Sequence, residues 1–246
     1  MDGIYEPYDW FASADRINDI LDQPARGVED AVALPTRDRI TRVGGCYGTC
    51  SALFVDVHAS PALTGSHPRP VLAKIYRAFA SEMVAVLNGH ERVREVDIVG
   101  HRVWAVYDTR HRTDIDALFD VAVTANSTTL LLNTLYAKRG FGPLDIGIGV
   151  DYGRALMVRV CGDGPGRAGV VYMGDVFDRA GRLARKAGRV RHGVVEPPIW
   201  VGKLFHDNLD DRDRTRLRHR DDDELGIVYT GWHVGADKKR WIDRNG

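Results

Sequence analysis

The stretch VREVDIVGHRVWAVYD, Val93 to Asp108, constrains the fold more than any other part of the chain. Val96, Ile98, Val103, Trp104, Val106 and Tyr107 are the β-branched and aromatic residues that strands favour, and Gly100-His101 stands where the chain must reverse. The segment reads as a tight hairpin between two helices. Upstream, Leu72, Ile75, Phe79, Met83 and Val86 step by three and four between Val71 and Leu87, and Asn88-Gly89 stops the pattern. Downstream, Thr113-x-x-Asp116 reads as a helix start. Ile115, Leu118, Phe119, Ala122 and Leu130 to Leu135 then carry an apolar face to about Lys138, before Gly140. The hairpin tip is odd, with Asp97 three residues before the glycine and His101 and Arg102 at the turn. A bland turn would be Asn-Gly.

The remaining segments build around this unit. SALFVDV (Ser51–Val57) is a strand with one acid inside. LDIGIGVDYGRALMVRV reads as a second hairpin turning near Tyr152-Gly153, VVYMGD as a short strand, and DVFDRAGRLARKAG as a helix ended by Gly188. Strands and helices mixed in this order indicate an α+β, ferredoxin-like core rather than strict βαβ alternation. Residues 1–35 read as an N-terminal extension with a short amphipathic helix around Ser13–Leu21, and residues 36–205 as the main domain. Residues 206–246 read as a C-terminal extension, a dense mixed-charge helix and then a strand, able to extend the sheet or cap a dimer.

Composition excludes several classes. Lys+Arg and Asp+Glu are both 34, so the chain has no net basic field for nucleic acid. Three cysteines, Cys46, Cys50 and Cys161, make no disulfide framework, and the C-x3-C pair lacks a second Cys/His cluster for zinc. No apolar run approaches a membrane span, and the acidic N-terminus lacks a signal-peptide core, so the expectation is a soluble cytoplasmic protein.

Asp56 sits in the middle of an apolar strand, where a lone carboxylate is costly unless it is paired, metal-bound or on an exposed edge. Asp178 and Arg182 are four apart on one helix; on pattern alone that is a surface ion pair worth about 0.3–0.5 kcal/mol. The basic run Arg182, Arg185, Lys186, Arg189, Arg191 is either a solvated face or a polyphosphate or nucleic-acid contact. Gly147, Gly149 and Gly153 are spaced G-x-G-x3-G and lead into a strand, so they suit close packing and not a dinucleotide loop. His58, His67, His90 and His192 have no partners at ligand spacing and read as surface or core histidines.

Four separated pieces, ALFVDV, DIVGHRVWAVYD, LDIGIGVDYGRAL and VVYMGDVFDRAGRLA, occur in the order seen in class III nucleotidyl cyclases, and the chain resembles that family over about residues 45 to 190. YRAFASEMVAVLNGH, TANS, YGRALM and VYMGDV are similar in particular to the pyrimidine cyclases of bacterial Pycsar anti-phage defence. The resemblance implies a head-to-tail homodimer with two sites, each built from both chains. It implies cyclisation of a nucleoside triphosphate to a 3′,5′-cyclic monophosphate with loss of pyrophosphate, on two divalent metals held by two aspartates. It further implies a separate downstream effector reached through the cyclic nucleotide.

On that resemblance Asp56 matches the first metal aspartate, Val57 offers its backbone carbonyl, and Phe54 borders the site. Arg182 matches the transition-state arginine, and Asp178 stands where the family has asparagine. The second metal aspartate aligns with His101. Imidazole suits Mn²⁺ and suits Mg²⁺ badly, so the expectation is Mn²⁺ over Mg²⁺, or low activity. The base-reading positions align with Asp97 and Val171. An ionised Asp97 cannot donate to adenine N1, but it accepts from uracil N3–H, cytosine N4–H2 or the guanine edge. UTP is favoured over CTP, with GTP as a competitor, and Tyr47 is a candidate to stack on or bond to a small base. A cyclase fold that binds nucleotide with weak or no catalysis is the alternative, because His101 and Asp178 both depart from the family at catalytic positions.

Overall fold

A computed structural model describes residues 5, 7–23, 27–32, 34–41, 44–58, 61–161, 168–191 and 193–245. In chain order the elements are α1 (Trp10–Leu21), β1 (Val28–Asp30), β2 (Gly45–His58), α2 (Pro61–Ser66), α3 (Arg69–Asn88), β3 (Val93–Val99), β4 (Arg102–Tyr107) and α4 (Arg112–Ala137). They continue with β5 (Asp145–Cys161), β6 (Ala168–Met173), α5 (Asp175–Lys186), β7 (Val190–Arg191), β8 (Val194–Val195), β9 (Ile199–Gly202), α6 (Lys203–Asn208), α7 (Asp211–Arg214), β10 (Arg218–Asp222), β11 (Gly226–Gly231) and α8 (Ala236–Asn245).

One mixed sheet organises the molecule, in the order β10-β11-β9-β5-β2-β4-β3, with β1 paired to β2 and β6 to β5. The expected hairpin is present, with Gly100 at φ 63 in the turn and β3 antiparallel to β4. The two flanking helices also form, and α4 closes its first turn with Asp114, not Asp116: its carboxylate accepts the His111 N–H at 3.0 Å. Among the described residues α4 is the one helix long and apolar enough to cross a membrane, yet Ile115, Leu118, Phe119 and Ala122 on it are buried in the core.

β2 shows why the sheet is covered on both faces. Leu53, Val55 and Val57 point to one side, against Ile75, Phe79 and Met83 of α3 and Leu118 and Phe119 of α4. Cys50, Ala52 and Phe54 point to the other, toward Val176 and Ala180 of α5. Each such fully buried aliphatic or aromatic side chain contributes about 1.5–3 kcal/mol.

Two expectations are corrected. LDIGIGVDYGRALMVRV is no hairpin but one strand, β5, paired with β2 without interruption from His58↔Asp145 to Gly45↔Val158. Its glycines seat a helix instead of making a turn: a Cβ at Gly147 would lie 2.0 Å from the Ala184 carbonyl oxygen, and one at Gly149 2.1 Å from that of Ala180. The tail is likewise no single charged helix. Its charged stretch divides into the short α6 and α7 and strand β10, and β11 joins the main sheet beside β9. In β10, paired to β11, Arg220 and the buried Asp222 share one side and make ion pairs to Glu196 and Lys186, while His219 and Asp221 on the other side are exposed. The amphipathic segment of the extension forms α1, with Asp9 accepting the Phe11 and Ala12 N–H groups, and none of its residues is buried.

Candidate active site

Cross-strand register builds the site. Asp56 of β2 pairs with Arg102 of β4 and with Gly147 of β5, and Phe54 pairs with Trp104 and with Gly149. Asp97 of β3 pairs with Trp104, and Val99 with Arg102. Paired residues share a face, so Asp56–Arg102–Val99 and Phe54–Trp104–Asp97 form two adjacent rows on the face that carries α5.

Asp56 is buried, with its side chain 2 % exposed. Arg102 Nη2 donates to its Oδ2 at 2.9 Å. His101 Nε2 lies 2.9 Å from its Oδ1, yet that oxygen has no hydrogen-bond partner. A buried carboxylate oxygen close to an imidazole nitrogen without a hydrogen bond fits two ligands converging on one cation. Neighbouring ligands on an octahedral ion with bonds of about 2.0–2.1 Å are themselves ~2.9 Å apart. Val57 donates its N–H to the His101 carbonyl at 3.2 Å and buries its side chain on the opposite face, so only its backbone is available here.

Beside these rows lies an aromatic patch of which sequence reasoning named only Phe54 for the site. Phe54 and Trp104 stack at 5.9 Å, and Trp104 meets Tyr172 and Phe177 edge-on at 6.0 and 6.1 Å. The Tyr172 hydroxyl donates to Glu95 Oε2 at 2.8 Å, although β6 and β3 are four strands apart. The sheet therefore curls into a trough. Burial first, and then Glu95, hold the Tyr172 hydroxyl well above its usual range, so it stays a donor. The available signal was the period-two spacing of Glu95 with Asp97 and of Trp104 with Arg102.

The other expected residues lie elsewhere in the same chain. Asp97 is exposed and accepts the Ile98 N–H. Arg182 of α5 turns to Asp178, 3.4 Å away, and to Glu224, 3.7 Å away. Tyr47 is nine residues from Asp56 along β2, roughly 30 Å at strand spacing, and points to the opposite face under the Arg154 guanidinium. Val171, 40 % exposed on β6, shares that face with Tyr47 through β5. Asp56 and His101 are thus brought together, while Arg182, Tyr47 and Val171 are not brought to them within one chain.

Three of the other histidines singled out in the sequence have structural partners. His58 Nε2 lies 2.6 Å from the Ala187 carbonyl, His67 contacts Ser66 and Leu63, and His90 accepts the Arg92 N–H. His192 lies outside the described residues. Cys46 and Cys50 are buried, and burial pushes the Cys50 thiol up to about 12. Asp116, Asp210 and Asp213 cluster away from the trough. There Asp210 caps α7 and Asp116 accepts the Asp210 N–H, which accounts for the cluster.

No family model matches the chain. It is 35 % identical over 262 residues to the uridylate cyclase of Gulbenkiania mobilis, covering all of both chains. It is 28 % identical over 242 residues to the uridylate cyclase of Treponema porcinum, covering 98 % of this chain and 83 % of the relative. Among solved structures, the guanylyl cyclase Cya2 aligns with TM-score 0.61 at 14 % identity over 78 % of this chain and 96 % of that one. A class III adenylyl cyclase-like ATP-binding protein from Pseudomonas aeruginosa aligns with TM-score 0.65 at 15 % identity over 93 % of this chain and 48 % of that one. The mixed α+β sheet resembles the fold of the class III nucleotidyl cyclase domains. Within that class the chain belongs to the family of the uridylate cyclases.

Proposed function

We propose that the protein cyclises UTP to 3′,5′-cyclic UMP and pyrophosphate, as a head-to-tail homodimer whose two sites each draw on both chains. The observation that carries this reading is the convergence of the buried Asp56 carboxylate and the His101 imidazole at the hairpin tip. Asp56, His101 and the Val57 carbonyl are the residues that would hold a divalent cation. Once bound, such a cation lowers the pKa of the ribose 3′-OH and neutralises phosphate charge. Arg182, pointing away from Asp56 of its own chain, serves the partner's site, where its guanidinium stabilises charge developing on the α-phosphoryl group. Asp178 beside it supplies a carboxylate where an amide would donate, which weakens that hold. Asp97 accepts uracil N3–H and Phe54 borders the reacting groups, whereas Val171 and Tyr47, on the opposite face of the sheet from Asp97, take no part in that pocket. His101 makes Mn²⁺ the better ion than Mg²⁺. On the family resemblance the product is a cytoplasmic messenger to a separate effector in Pycsar anti-phage defence.

A second reading, a nucleotide-binding protein with little turnover, rests on His101 and Asp178 standing at catalytic positions. Incubating the protein with each of the four ribonucleoside triphosphates and Mn²⁺ or Mg²⁺, with products identified by mass spectrometry, separates the two. Cyclic UMP formed faster with Mn²⁺, and abolished by Asp56→Asn, is the expected result. Binding without cyclic product favours the second reading, and cyclic CMP or cyclic GMP would move the base assignment.

A further inference from the structure

We infer that Arg102 is the built-in second cation of this site, so that each Asp56 takes a single metal ion. The inference rests on the reading of Asp56 and His101 as metal ligands. Asp56 and Arg102 face each other across the β2–β4 register, so the guanidinium is held at the carboxylate by backbone pairing and not by a chance rotamer. The contact is 2.9 Å with the Arg102 side chain 22 % exposed, and the guanidinium carbon also lies 6.0 Å from the centre of the Phe54 ring.

Asp56 is thereby divided. Its Oδ2 belongs to Arg102, and only Oδ1 is left without a hydrogen-bond donor, beside His101. A carboxylate bridging two metals with one oxygen on each would need both oxygens, and Oδ2 is taken. Charge points the same way. One carboxylate, one guanidinium and a neutral imidazole sum to zero, whereas a pair of aspartates would supply two negative charges to offset two dications. A guanidinium does not deprotonate in a protein, so it cannot make way by losing its charge. A second dication at Oδ2 would sit directly against that fixed positive charge. Arg102 supplies the electrostatic part of that ion's role, and its fork of donors matches phosphate oxygens.

Titrating Mn²⁺ into the full-length protein without nucleotide, with free Mn²⁺ followed by electron paramagnetic resonance, tests this without reference to turnover. Wild type is expected to bind one ion per chain at this site, and Asp56→Asn to lose it. Arg102→Met should bind a second ion or bind the first at least tenfold more tightly. Arg102→Gln, a shorter polar side chain without the charge, should shift the same way if the methionine variant fails to fold. Arg102→Lys should behave as wild type. Wild type binding none or two ions, or Arg102→Met and Arg102→Gln binding as wild type, overturns the inference. If Asp56→Asn retains the wild-type ion, the reading of Asp56 as a ligand fails instead, and the inference falls with it.

Discussion

Gly149→Ala tests how the helix bearing Arg182 is set against the sheet. Gly149 shares its face with Phe54 and with Trp200 of β9. An added Cβ would stand 2.1 Å from the Ala180 carbonyl oxygen and 2.3 Å from the Ala184 nitrogen. Both are backbone atoms of α5 and cannot rotate aside. Restoring an ordinary contact of 3.4 Å requires the helix to retreat by about 1.3 Å. That lifts Val176, Ala180, Leu183 and Ala184 off the sheet, at a cost of about 2–3 kcal/mol for an overpacked core. The same shift displaces Asp178 and Arg182, and a misplacement of about 1 Å costs on the order of 10²-fold in rate. Urea denaturation should show a lower midpoint with an unchanged slope. Cyclic UMP formation, assayed well below that midpoint, should fall about a hundredfold, mostly in kcat. Gly65→Ala, where a Cβ meets nothing within 4 Å, is the control and should lose nothing. A Gly149→Ala protein with wild-type midpoint and rate would refute the seating of α5 on β5.

Burial pushes the Asp151 carboxyl up to about 6, against the opposing pull of the Tyr152 N–H and Arg179, from 3.8 when unfolded. The folded state then binds its proton more tightly, so this group costs stability as pH rises from about 4 through 6. Asp151→Asn should gain about 3 kcal/mol on wild type between pH 4 and 7 in urea titrations, and a flat difference would refute it. Tyr107→Phe removes a hydroxyl that donates to the Leu87 carbonyl at 2.9 Å in the core. It should cost about 1–2 kcal/mol in thermal or urea unfolding and leave turnover unchanged. Asp56→Asn and Arg182→Ala should each be inactive, yet a mixture allowed to exchange subunits should recover about a quarter of wild-type activity, because each mixed dimer holds one intact site. No recovery would refute sites shared between chains.

Much of the fold was legible in local pattern. Runs of β-branched and aromatic residues marked β2, β3 and β4, because such side chains pack well in strands, and steps of three and four marked α3 and α4, because residues so spaced share a helix face. β5 was misread because glycine signals a turn locally. Only the fourteen-residue pairing with β2 and the approach of α5 show that Gly147 and Gly149 are places where a helix lies down. The mixed-charge tail was misread for a related reason: its strand β10 is defined by its partner β11, not by its own residues.

The same division runs through the site. The residue order alone determined that Asp56 is an acid inside an apolar strand and that an imidazole and a guanidinium occupy a hairpin tip. Those are properties of chemistry and spacing. Tertiary structure decided which of them meet. The β2–β4 register turned Arg102, which had no role on paper, into the partner of Asp56, and strand rise separated Tyr47 from that acid within one chain. Pairing register and sheet curl are relations between segments far apart in sequence. They are set by burial across the whole sheet, and no local pattern encodes them.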